Sequence, residues 1–67
     1  MTASRSIARV LKEARINQGL TQLEVAKKAG MHVNSYAKIE RGEQGGRADT
    51  LKKLVKALHI DPNKIFN

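Results

Sequence analysis

The chain has 67 residues and is 40% hydrophobic, which suits one small domain with a modest core rather than a disordered tail. It has no cysteine, so disulfides and thiolate metal sites are excluded, and its apolar runs are too short to span a membrane. Thirteen Lys and Arg against six Asp and Glu leave a net charge of +7, a field that favours a polyanion such as nucleic acid or an anionic membrane surface.

Strand signals are weak and helical spacing runs throughout. The first helix is expected over 4–18, with Ile7, Leu11 and Ala14 on one stripe and Val10 beside it. Its basic residues recur at intervals without the continuous apolar stretch of a leader, so a cytoplasmic location is expected. Gly19 is the natural stop. A second helix is expected over 21–28. Thr21 and Glu24 have the spacing of a capping box, in which each side chain bonds the other residue's amide. Val25, Ala26 and Ala29 point to the core, and Gly30 closes the helix.

A third helix is expected over 32–41, with Tyr36 and Ile39 on its inner face and Gly42 at its end. Tyr36 is expected to pack in the core with its hydroxyl emerging at the surface. A loop with adjacent Gly45 and Gly46 follows. The fourth helix, over 47–58, carries the strongest stripe: Leu51, Leu54, Val55 and Leu58. His59 stands where Gly or Asn often closes a helix, and histidine tolerates that left-handed position better than most residues. Asp61-Pro62 reads as the start of a short fifth helix, over 61–66. Two histidines without nearby ligand spacing give no metal site, and no cofactor is expected. No nucleophile–base pair or phosphate loop appears, so no enzyme is expected.

A glycine turn, Ala29-Gly30-Met31, joins the second and third helices, as in a helix-turn-helix. Leu20-Thr21-Gln22-Leu23-Glu24-Val25-Ala26, Ala29-Gly30 and Tyr36-Ala37-Lys38-Ile39-Glu40-Arg41-Gly42 closely resemble the Cro/phage-repressor type of helix-turn-helix, the XRE family. The likeness extends without insertion from Ile7, Leu11 and Arg15 to Leu51, Leu54, Val55 and Ile65-Phe66. It implies an all-α fold: a compact, five-helix, lambda-repressor-like domain over 1–67. It also implies a transcriptional regulator, most commonly a repressor, that binds double-stranded DNA. Its third helix would enter the major groove, and two copies would bind a palindromic operator as a homodimer. An antitoxin-like protein-interaction module that also binds DNA is the alternative. A membrane-surface helix is disfavoured, because the apolar faces are consumed by the core.

The resemblance assigns roles to particular residues. Arg15 and Glu40 would form an ion pair between helix one and the end of helix three. Val33, Asn34, Ala37 and Lys38 would face the bases: Asn34 suits adenine, Lys38 guanine, Val33 a thymine methyl. Phosphate contacts are expected from Gln22, His32, Ser35, Arg41 and Arg47, with Gln22 alternatively bracing helix three. The lysines of helices two and four read as a solvated face that adds general attraction. Leu58, Ile60, Ile65 and Phe66 would supply a dimer seam. Val33, His32 and Gly45-Gly46-Arg47 depart from the commonest family pattern.

Overall fold

The computed structural model describes residues 3–66; residues 1, 2 and 67 of the expected domain lie outside it. The described residues contain five helices and no strand: α1 (Ala3–Asn17), α2 (Gln22–Ala29), α3 (Val33–Glu40), α4 (Ala48–Leu58) and α5 (Asn63–Phe66).

The helices start as the sequence directs, in one case fully. Thr21 caps α2 with both arms of a capping box: its Oγ1 accepts from the Glu24 amide at 3.0 Å, and the Thr21 amide donates to Glu24 Oε1 at 2.8 Å. His32 and Arg47 occupy the cap positions of α3 and α4 without any side-chain cap bond. The last helix is shorter than expected. Asp61 Oδ1 accepts from the Asn63 amide at 3.0 Å, and Pro62 lies in a turn before the helix rather than within it.

The helix ends are uniform. After each of the first four helices one residue turns left-handed: Gly19, Gly30, Gly42 and His59. The next amide then reaches back to close the end: Leu20 to the Arg15 carbonyl, Met31 to Ala26, Glu43 to Lys38, Ile60 to Val55. Three of the four residues are glycine, which carries no Cβ penalty there. His59, at φ 54°, is the one residue that pays it.

These sharp reversals bring the apolar stripes together. Leu11, Val25, Ala26, Ala29, Tyr36, Ile39, Leu51, Leu54, Val55, Leu58 and Ile60 form one buried cluster. Each fully buried large side chain contributes about 1.5–3 kcal/mol. The helix pair α2 and α3 is seated on this cluster, α2 against α3 and α4, and α1 against α3, α4 and α5. A side-chain bond adds to this packing: Gln18 Nε2 donates to the Leu58 carbonyl at 2.6 Å, joining the turn after α1 to the end of α4. The described body measures 28 × 22 × 20 Å.

Candidate nucleic-acid interface

The C-terminal end of α3 is anchored by one carboxylate. Glu40 is buried. Arg15 of α1 grips it as a fork, Nε to Oε2 and Nη2 to Oε1, both at 2.9 Å. Its remaining nitrogen, Nη1, donates to the Leu20 carbonyl at 2.9 Å in the turn before α2. Gln22, the first residue of α2, donates through Nε2 to Glu40 Oε1 at 3.1 Å. One acid therefore ties α1, the start of α2 and the end of α3. Burial alone would raise the Glu40 pKa, but Arg15 above all, then the nearby Tyr36 hydroxyl and Gln22, outweigh it and hold the carboxyl below its ordinary value. The same bond raises the Arg15 pKa. Of the two alternatives for Gln22, its amide is engaged in bracing α3.

Tyr36 corrects one expectation. The residue is in the core, but its hydroxyl does not emerge. It is buried, within electrostatic reach of Arg15 and Glu40, and has no hydrogen-bond partner. Burial raises its pKa, and the neighbouring carboxylate adds to the rise.

The outer face of α3 carries two exposed side chains, Asn34 and Lys38, one turn apart. Val33 is half-buried and packs partly against the core. Ala37 does not belong with them. It is buried with Tyr36, Ile39 and Glu40, and has little surface to offer a base. The inner arc of α3 is wider than the Tyr36–Ile39 stripe suggests, because Glu40 also faces inward.

Polar and basic groups rim this face. His32 is exposed and Ser35 half-buried. Arg41 is exposed, but in the free protein its guanidinium is gripped by Glu43, Nε to Oε2 at 2.7 Å and Nη2 to Oε1 at 3.2 Å. Arg41 in turn holds the Glu43 carboxyl below its ordinary range. Arg47, at the start of α4, shares a cleft of about 390 Å³ with Ser35, Thr50 and Lys53 above a floor of Met31 and Ile39. Gly46 shapes the rim: a Cβ there would stand 3.2 Å from Ile39 Cδ1, at a φ of 75°. Any other residue at that place would be strained by the positive φ and would crowd Ile39.

The expected dimer seam also needs correction. Leu58 and Ile60 are spent on the chain's own core, at 1% and 9% exposure, and leave nothing for a partner. Ile65 is half-buried, and Phe66 is 43% exposed. Sequence spacing could not separate these four, since burial of α4's last turn depends on how α1 packs against it. Two arrangements had no local signal at all. One is the tie from Gln18 to Leu58. The other is the gathering of Lys28, from α2, with Lys53 and Lys56, from α4, around one cleft.

A family model described as helix-turn-helix matches residues 11–65, most of the chain. Two solved structures resemble it over nearly their whole length. A mutant of the restriction-modification controller protein C.Esp1396I gives a TM-score of 0.88 at 23% identity, over 98% of this chain and 86% of that one, a likeness of fold. The restriction-modification controller protein C.AhdI from Aeromonas hydrophila gives 0.86 at 28% identity, over 94% of this chain and 96% of that one. No curated protein matches the sequence. With the glycine turn, the braced third helix and the family match in agreement, the chain belongs to the helix-turn-helix family and is a DNA-binding transcriptional regulator.

Proposed function

We propose that the protein is a sequence-specific repressor that reads the major groove of its operator with α3. The observation that carries this reading is the contrast between the two faces of α3. The inner face is fixed by Tyr36, Ile39 and the Arg15–Glu40–Gln22 bonds, while Asn34 and Lys38 stand free on the outer face. Groups held on a rigid helix meet base edges without a large ordering cost. Asn34 can bond adenine N6 and N7, Lys38 guanine O6 and N7, and the exposed part of Val33 a thymine methyl.

His32, Ser35, Arg41 and Arg47 then meet phosphates on either side of the helix. For Arg41 this requires exchange of the Glu43 carboxylate for a phosphate oxygen. Gln22 acts by holding Glu40, and its second amide hydrogen remains available to a phosphate. The likeness to C.AhdI supports a regulator of the controller type, working in the cytoplasm. The working unit is a homodimer that joins through Phe66 and the exposed part of Ile65, on a palindromic site.

Selection of bound duplexes from a random pool, followed by footprinting, tests this function. A two-fold site with half-site centres about 34 Å apart is expected. Equal retention of all duplexes would overturn the reading.

A further inference from the structure

The lysines of α2 and α4 are not an evenly solvated face. Lys28, Lys53 and Lys56 converge on a cleft of about 240 Å³ floored by Ala29 and Ala57. All three are exposed. Among the described residues the ion pairs are Arg9–Glu13, Arg15–Glu40 and Arg41–Glu43, so these lysines have none. Each helix carries one acid a turn before these lysines, Glu24 before Lys28 and Asp49 before Lys53; the Glu24 carboxylate bonds its own cap at Thr21, and Asp49 is in none of those ion pairs. Three lysines around one cleft, with only Glu24 and Asp49 a turn away, leave an excess of positive charge, and on one helix Lys53 and Lys56 are already neighbours.

Lys53 also lines the cleft that holds Ser35 and Arg47. The two clefts therefore share a wall. Together they form a basic belt from the loop before α4, past Lys53, to the end of α2.

We propose that this belt is a second phosphate track, which holds the backbone of the same duplex beyond the half-site that α3 reads. The inference rests on the major-groove reading above. It extends that reading from the read bases to the flanking DNA. A long occupant is required, because the belt runs across two clefts and continues a rim of phosphate-seeking groups. Duplex DNA carries one charge per about 1.7 Å of axis, so a body 28 Å long faces many more phosphates than α3 itself can reach. An acidic protein would meet one cleft but has no reason to follow the rim around from Arg47. Lysine stems can lie along the apolar Ala29 and Ala57 of this cleft while their ammonium groups stay in water.

The test measures salt dependence on two duplexes carrying the selected site. One is trimmed to the two half-sites, and the other is extended by about 10 base pairs at each end. The variant is the full chain with Lys28→Gln, Lys53→Gln and Lys56→Gln, checked for an unchanged melting curve. A second variant with Lys→Arg at the same positions keeps the charge.

On the extended duplex the Gln variant should lose about 5 from the slope of log K against log salt, about 0.9 for each of the three contacts removed from each of the two bound copies. On the trimmed duplex it should match the parent chain, and the Arg variant should match the parent on both. An unchanged slope on the extended duplex would overturn the track and leave the lysines to an acidic partner protein. An equal loss on both duplexes would also overturn it, because the lysines would then act within the half-sites. Preference for the selected site over a scrambled one is read in the same titrations. It fails only if the α3 reading fails, so the two ideas are separable.

Discussion

Glu40 accepts three hydrogen bonds from two residues while almost wholly withdrawn from water. Removing Arg15 would leave a buried, uncompensated charge, the costly half of a broken pair. Arg15→Ala should therefore destabilise the fold by roughly 3 kcal/mol, a fall in melting temperature of more than about 10 °C for a domain of this size. Calorimetry checks this. The acid limb of stability follows from the same group. The Glu40 pKa is lower folded than its ordinary 4.5, so its contribution is complete above about pH 4.5 and is lost as pH falls through the folded value. Glu24 and Glu43 shift in the same direction, but on the exposed surface. In urea titrations below pH 4.5, Glu40→Gln should show a shallower acid loss than the parent chain. The pairing of Arg15 with Glu40 was legible from the resemblance alone. The buried Tyr36 hydroxyl was not, because nothing in the residues beside it tells which way a tyrosine ring leans within a packed core.

Most element types were legible, because caps and stops are local chemistry. Thr21 and Glu24 sit at the one spacing that satisfies two orphan amides, and Gly19, Gly30 and Gly42 follow the last periodic residues of their helices. The assignment of Ala37 to the DNA face failed for a geometric reason. At about 100° per residue, an arc that holds Ile39, Tyr36, Glu40 and Ala37 is about 160° wide, and a two-residue stripe underestimates it. Removing the left-handed strain at the end of α4 should help the fold. His59→Gly is expected to raise stability by about 0.5–1 kcal/mol, the relief of φ 54° being partly offset by glycine's extra freedom in the unfolded chain. A denaturant midpoint that moves down instead would show that the imidazole makes a compensating contact.

At the scale of the whole molecule, exposed basic residues lie on α1, α2, α4 and α5 as well as around α3, and the proposed DNA contacts use only some of them. The other requirement, a partner copy, falls on the few apolar groups the core does not take up, and among the four expected seam residues only Phe66 is substantially exposed. Phe66→Asp should turn a concentration-dependent dimer into a monomer in sedimentation, with the melting curve of the monomer little changed. Operator affinity should fall with it, because two half-sites bound independently lose the advantage of linkage. Which of Leu58, Ile60, Ile65 and Phe66 faced outward was hidden in the sequence, since it depends on how α1, α4 and α5 meet.

The central claim is that α3 reads bases through Asn34 and Lys38. The most direct measurement repeats the duplex selection with Asn34→Ala and with Lys38→Ala and compares base preference position by position. Each variant should relax preference at its own position by about 1–3 kcal/mol and leave the half-site spacing intact. If both variants return the parent's full preference at every position, α3 does not read the operator through these side chains and the account is wrong.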